Sequence, residues 1–371
     1  MPLPRVEVLD ISLLTASKGR SADVLKLMVS ALPRWKTCAV PNALTRSMSG
    51  MGSSPDLLER VEVIGSIWHR LDSEIFNRAP CLYAWTGPFT ELPWAQLSEL
   101  NITEFTVVGH TFTHVLSVCP ALVKLRLCLC RDPGWLEGQP RTLPRLEAAN
   151  FTVGNPNIFA FMFSKLTTPR LKYLELKGVS KADPGSRPGN ARRMLQLDSW
   201  PLSEFTDWLS RSQCTIDALS LFTIAMPRAH VVDILERLPS LQSFTIWEDF
   251  EADSAWAEVA DEPVVYSSID NGLLRRLTAV DTAAPSLLPQ LKRLSIKGEL
   301  RLSYSALLDM VKSRATPRLE YLSIYAGAES QPDDMDEDTK IQLRLAIGNE
   351  GIMEFDSSAS ISKGVDFKPI L

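Results

Sequence analysis

One phrase recurs along this 371-residue chain and limits what it can fold into: a proline, then apolar residues in Leu-x-x-Leu-x-Leu spacing. It reads LPWAQLSELNI at Leu92–Ile102, CPALVKLRL at Cys119–Leu127, LPRLEAANF at Leu143–Phe151 and TPRLKYLEL at Thr168–Leu176. It returns as LPSLQSFTI at Leu238–Ile246, LPQLKRLSI at Leu288–Ile296 and TPRLEYLSI at Thr316–Ile324. A copy without proline, TIDALSLFTI, runs from Thr215 to Ile224, and LPRVEVLDI opens the chain at Leu3–Ile11. The first apolar anchors are Leu97, Leu122, Leu146, Leu171, Ile216, Leu241, Leu291 and Leu319, separated by 25, 24, 25, 45, 25, 50 and 28 residues. The two long steps are close to double periods, so each holds a degenerate repeat or an inserted loop.

A period of about 20–29 residues with this spacing is that of leucine-rich repeats. The later leucines alternate with other residues, which puts them on one face of a strand. Between strands the spacing becomes helical: Phe112, Val115, Leu116 and Cys119; Leu202, Phe205, Trp208 and Leu209; Val231, Ile234, Leu235 and Leu238; Leu307, Leu308 and Val311. The proline is expected to stop each helix, because the residue before it is pushed out of the α region. No unit can bury its apolar face alone, so stacked units must share a core. The expected fold is an α/β leucine-rich-repeat solenoid, with a curved parallel sheet on the concave face and helices on the convex face. Residues 1–90 read as irregular N-terminal repeats, 91–327 as the solenoid with insertions near 179–198 and 248–268, and 328–371 as an acidic segment and cap. Ser180–Asn190 reads as a surface loop, and Glu248–Pro263, with seven acidic residues, as a solvated excursion. Gln331–Asp338 is acidic as well and precedes an expected helix over Asp338–Ile347, whose N-terminus its carboxylates favour.

The formal net charge of −5 gives no general attraction to nucleic acid or anionic membranes. No apolar stretch is long enough to span a bilayer, and the N-terminus lacks a signal-peptide pattern. Six scattered cysteines without an export signal fit reduced thiols, so the expected location is cytoplasmic or nuclear.

Catalytic chemistry has few candidates. His110 and His114 are four apart, but the zinc-protease motif needs glutamate after the first histidine, where Thr111 stands. Cys128 and Cys130 share a strand face without further ligands at zinc spacing. No phosphate loop or nucleophile elbow is present, and Gly50–Ser54 reads as a flexible loop. The acidic runs lack the pattern of a calcium loop. No enzyme activity, metal or cofactor is expected.

A binding surface is legible if the register is right. Residues between the leucines then face the concave side, and aromatic side chains there are unexpected unless something covers them. Phe222, Trp247, Tyr321 and Tyr325 are the candidate partner-binding residues, with Arg126, Arg293 and Lys297 as charge partners. The alternative is that the insertions, above all Glu248–Pro263, fold over this face, and a slip of one residue would reverse every side chain.

The LPWAQLSELNI phrase and the repeated (L/T)P(R/Q/S)L openings resemble the leucine-rich-repeat region of basidiomycete-type F-box proteins. So does the upstream order: a strand with Val6, Val8 and Asp10, a helix around Asp23–Leu32, then Pro33-Arg34-Trp35-Lys36. The likeness covers roughly Arg5 to Tyr325. It implies a fungal protein whose repeats recruit a substrate for a ubiquitin ligase, while an F-box docks a cullin-ligase adaptor. The first residues hold no Leu-Pro-x-Glu followed by Ile-Phe, so adaptor docking would require an F-box upstream. Leu71–Phe76 has a faint likeness to that pattern but reads as a repeat helix. The other reading is a repeat scaffold or GTPase regulator that works without a ligase.

Overall fold

The computed structural model describes residues 9–10, 31–42, 45, 55–64, 74–102, 109–129, 140–179, 195–197, 199–248, 268–278, 287–298, 303–314, 318–326, 336–347 and 352–356. The chain divides into two compact units, Met1–Leu174 with Ser203–Cys214, and Glu175–Leu202 with Thr215–Leu371. Val6, Val8, residues 23–30 of the expected helix around Asp23–Leu32, Gly50–Ser54, Ser180–Asn190 and Gln331–Met335 lie outside the described residues.

In the first unit, parallel pairing joins β1 (Leu9–Asp10), β2 (Thr37–Pro41), β3 (Arg60–Ile64), β4 (Ala84–Gly87), β5 (Glu99–Ile102) and β6 (Lys124–Leu129) in chain order. A short strand, β7 (Arg141–Thr142), leaves this series, and β8 (Ala148–Val153) pairs with β6. β7 pairs instead with β9 (Leu166–Thr167). The helices here are α1 (Glu74–Asn77), α2 (Gly109–Val118), α3 (Asn157–Lys165) and α4 (Leu202–Ser212). The boundary between units falls inside β10 (Tyr173–Gly178). In the second unit, β12 (Ala218–Phe222), β14 (Ser243–Trp247), β15 (Arg293–Gly298), β16 (Tyr321–Ala326) and β17 (Ile352–Asp356) pair in parallel. β11 (Leu195–Gln196) and β13 (Ile224–Ala225) form a separate short pair. Helices α5 (Arg228–Glu236), α6 (Asn271–Leu277), α7 (Tyr304–Ser313) and α8 (Glu337–Ile347) intervene. Parallel neighbours require crossovers; α1, α2, α3, α5, α6, α7 and α8 lie in seven of them, and the one between β4 and β5 holds only a single 3-10 turn at Trp94–Gln96. The architecture is that of an α/β repeat solenoid.

The anchor of each phrase stands two residues before its strand. All eight are at most 1% exposed. Each such burial stabilises by about 1.5–3 kcal/mol. Three further anchors hold the same position within residues 1–90: Trp35, Leu58 and Leu82, ahead of β2, β3 and β4 and each at most 1% exposed.

A second regularity is in the backbone. Within each unit, the carbonyl after most anchors accepts from two successive N–H groups of the next repeat. Lys36 O receives Glu59 N and Arg60 N, Ser98 O receives Val123 N and Lys124 N, and Gln242 O receives Lys292 N and Arg293 N, all at 2.7–3.2 Å. This locks the start of each strand so bonded to its predecessor and sets the register.

The repeated proline stands just past the end of its helix, as expected, and also shapes a turn. Helices α2 and α5 end at Val118 and Glu236, before Pro120 and Pro239 are reached. The residue ahead of the proline then accepts from the anchor N–H, as in Leu122 N to Cys119 O and Leu241 N to Leu238 O at 3.4 and 3.1 Å. Proline thus occupies the second position of a tight turn, where its fixed φ is already correct.

The helical faces bury Val115 and Cys119, Phe205 and Trp208, and Val231, Ile234, Leu235 and Leu238. In α7 the buried set is Leu307, Met310 and Val311, with Leu308 only half-buried. The side chains of Phe112 and Leu116 lie outside the described residues. Phe163 stacks on Trp208 at 5.2 Å and meets Phe205 edge-on at 5.1 Å, which fastens α4 onto α3.

Helix C-termini carry carbonyls that no turn of the helix can satisfy, and arginines from other segments supply the donors. Arg211 donates to Phe163 O and Leu166 O beyond α3, and Arg318 to Leu345 O and Ala346 O at α8. Arg314, 4% exposed, donates to Leu277 O, Leu287 O and Leu288 O. Leu288 has φ +53°, so its carbonyl sits in a strained turn that this guanidinium holds. Burial lowers Arg314 from its usual 12.5 to about 10.

Candidate functional site

Along each strand the leucine positions are buried and the intervening residues form open rows. In β5, β8, β12 and β14 the alternation is strict. The expected register is therefore the observed one, and no slip reverses the side chains.

In the first unit one open row carries charged groups that pair with each other. Parallel pairing brings Thr37, Arg60, Ala84, Glu99, Lys124 and Ala148 into one row. Glu99 holds Arg60 at 2.5 Å and Lys124 at 3.3 Å, and Lys36 meets Glu59 at 3.4 Å. Arg60 also donates to Tyr83 Oη at 3.2 Å; that hydrogen bond, followed by the Glu99 charge, raises its pKa above the usual value. Arg126 is exposed on the next row, between Asn101 and Asn150. It belongs to this unit and not to the aromatic cluster of the second.

In the second unit the open rows are aromatic and hydroxylic. One row runs Phe222, Trp247, Lys297, Tyr325, Asp356; the next runs Ser220, Thr245, Ser295, Ser323, Glu354. A third runs Ala218, Ser243, Arg293, Tyr321, Ile352. Phe222 meets Trp247 edge-on at 5.0 Å, Trp247 meets Tyr325 at 6.5 Å, and Lys297 Nζ stands 5.5 Å from the Trp247 ring centre. Aromatic pairs of this kind add about 0.5–1.5 kcal/mol beyond burial. Phe222, Trp247, Tyr321, Tyr325 and Lys297 are each partly exposed, and Arg293 is exposed.

Two residues of the middle row are buried despite their outward position: Ser295 at 5% and Ser323 at 0%. Ser295 Oγ accepts from Trp247 Nε1 at 3.3 Å, which ties the indole across the neighbouring strand. Ser323 Oγ has no hydrogen-bond partner among the described residues. The identical Leu-Ser-Ile triplets of β15 and β16 were a legible signal for this floor of small side chains.

Glu248, expected in a solvated excursion, is instead fully buried. Its backbone N–H donates to Lys297 O at 2.7 Å, and its carboxylate accepts from Ser268 N at 2.9 Å and from Ser268 Oγ. A buried carboxylate needs such donors, and they fix the chain directly after Trp247. Gly298, at φ +153°, leaves room for this approach: a Cβ there would come within 2.9 Å of Glu248 O. Residues 249–263 lie outside the described residues.

The remaining candidates do not converge. His114 is exposed and packs edge-on against Phe89 and Trp94 at 6.1 and 6.0 Å. The His110 side chain, His69 and Cys130 lie outside the described residues, and Cys128 is buried. Burial pushes the Cys38 and Cys119 thiols up to about 12 and Cys214 to about 11, which keeps them protonated and poor nucleophiles. Ile75 and Phe76 of the Leu71–Phe76 segment lie in the core on α1, with Phe76 against Trp85 at 5.3 Å. Asp336 caps α8 by accepting from Thr339 N, which holds its carboxyl below the usual range.

Among the described residues no three of His, Cys, Asp and Glu gather as a metal-ligand set, and no helix is long and apolar enough to cross a membrane. No protein-family model matches the chain, and no curated protein matches it. Among solved structures, a Bacteroides fragilis protein is similar over 88% of this chain and 66% of its own, at 14% identity and a TM-score of 0.32. The chain thus spans just under two thirds of that protein's length.

Proposed function

We propose that this chain is a protein-binding leucine-rich-repeat module without an active site, docking its partner on the open rows of β12, β14, β15 and β16. The observation that carries this reading is the partly exposed Phe222–Trp247–Tyr325 cluster with Lys297 beside it. Aromatic side chains on a sheet face are costly in water and dominate interface energy when covered. The Ser295 and Glu248 contacts hold Trp247 in place before binding, which reduces the ordering cost of association.

The finer reading is the substrate-recruiting part of an F-box ubiquitin-ligase subunit, supported by the repeated proline-leucine phrases. A repeat scaffold or GTPase regulator independent of a ligase is the second reading. It is favoured by the buried Ile75 and Phe76, which remove the segment with F-box likeness from adaptor docking.

Affinity purification tests both levels, using the chain with any upstream coding sequence and the Phe222→Ala/Trp247→Ala variant. Partners lost from the variant, with folding preserved by circular dichroism, support the docking face. Recovery of a cullin-ligase adaptor by the extended form supports the ligase reading, and its absence leaves the scaffold.

A further inference from the structure

Phe222, the first ring of the aromatic row, is followed directly by a strained corner. Thr223 has φ +52°, and there the chain leaves β12 for β13, which pairs with β11 in a separate sheet. The left-handed region is costly for a β-branched side chain, which crowds its own backbone. The other two non-glycine residues in that region have local reasons for it. Gln213 closes the end of α4, where a left-handed residue is ordinary, and Leu288 offers its carbonyl to Arg314. A glycine would turn the corner at Thr223 without strain. What threonine adds is a hydroxyl, and it donates to Gly178 O at the end of β10.

Thr223 is fixed at three atoms. Besides the hydroxyl, its N–H donates to Trp247 O at 2.8 Å and its carbonyl accepts from Leu195 N at 3.0 Å. Gly178 leaves the space for this: a Cβ there would come within 2.5 Å of Thr223 O. One strand further on the device is repeated behind Trp247, where Glu248 N binds Lys297 O beside Gly298. Backbone strain persists only where its surroundings over-determine it, and such places concentrate where position matters. Resting on the docking reading above, we infer that Thr223 is a positioning residue for the aromatic row. Its three bonds hold Phe222 edge-on against Trp247, and the strain accompanies the hydroxyl that fixes the corner. The effect passes through the backbone on which both rings stand, and a row held in one arrangement loses less freedom on binding.

The test compares two variants of the full chain. Thr223→Gly turns the corner freely but lacks the hydroxyl, whereas Thr223→Asn tolerates left-handed backbone and keeps a side-chain donor. Nitrogen-15 NMR reads the nine tryptophan indole signals, with that of Trp247 identified by its loss in Trp247→Phe. In Thr223→Gly the Trp247 signal is expected to shift and its exchange with water to rise about tenfold, while the remaining indole signals and the urea midpoint hold. In Thr223→Asn the Trp247 signal is expected to stay near its position in the unsubstituted chain. An unmoved Trp247 signal in folded Thr223→Gly overturns the inference, and so does an equal shift in both folded variants. A general shift of the indole signals with a fallen midpoint in both variants overturns it too, because Thr223 then serves the fold alone. Affinity purification separates the two levels. Partners lost from Trp247→Ala but fully kept by Thr223→Gly overturn the positioning role and leave the docking face standing. Partners kept by Trp247→Ala overturn the docking face itself.

Discussion

The two units use one repeat with two kinds of open face. In the first, charged residues along the row Arg60, Glu99, Lys124 compensate one another, with Arg126 exposed on the row beside them. In the second, the matching row holds Ala218, Ser243, Arg293 and Tyr321, and the row four residues further along the strands holds Phe222, Trp247, Lys297 and Tyr325. The leucine anchors are equivalent in both: Leu122 and Leu241 are each fully buried. The repeat therefore holds the fold together with one set of positions and leaves the other free to diverge. A face that satisfies its own charges has little to gain from a partner, whereas one with exposed rings and cations has much.

The equivalence of the cores is open to the strongest test. Leu122→Ala and Leu241→Ala are each expected to cost about 2–5 kcal/mol in urea unfolding, with similar values for the two. Tolerance of one alone would break the equivalence of the units. Arg314→Ala should cost about 2–4 kcal/mol, because buried carbonyls lose their donor. Arg211→Ala, at a more exposed helix end in the first unit, should cost less, and the reverse order would show that burial does not govern these staples.

On the faces the expected effects are smaller. Trp247→Ala should lower stability by only about 1 kcal/mol while removing partner binding. Glu99→Gln should cost less than about 1 kcal/mol, and the loss should shrink further in high salt. If Glu99→Gln weakened partner binding as much as Trp247→Ala, the contrast between the faces would fail. The smallest effect concerns Asp336, whose folded pKa lies below its ordinary 3.8 through its bond from Thr339. Its contribution is present above that ordinary value and is lost as pH falls through the folded pKa. Protection of the Thr339 amide from exchange should therefore fall under acid and be low at all pH values in Asp336→Ala.

Periodicity in the chain was enough to determine the repeat, the eight phrase anchors, the strand register and the outward position of Phe222, Trp247, Tyr321 and Tyr325. These follow from alternation within one unit, where burial of each leucine is a local choice between two faces. The anchors Trp35, Leu58 and Leu82 escaped because the phrases around Trp35 and Leu58 lack the proline turn or the leucine spacing, and Leu82 stands only 15 residues before Leu97. Tertiary structure alone decided which open residues become lateral neighbours: Phe222 beside Trp247, Lys297 beside Tyr325, and Ser295 under the indole. It also decided that Glu248 is buried on Ser268 and that Arg314 reaches three distant carbonyls. Those contacts join residues far apart in the chain, and their geometry depends on crossovers of unequal length. Local spacing states what faces outward; only lateral stacking states what it faces beside.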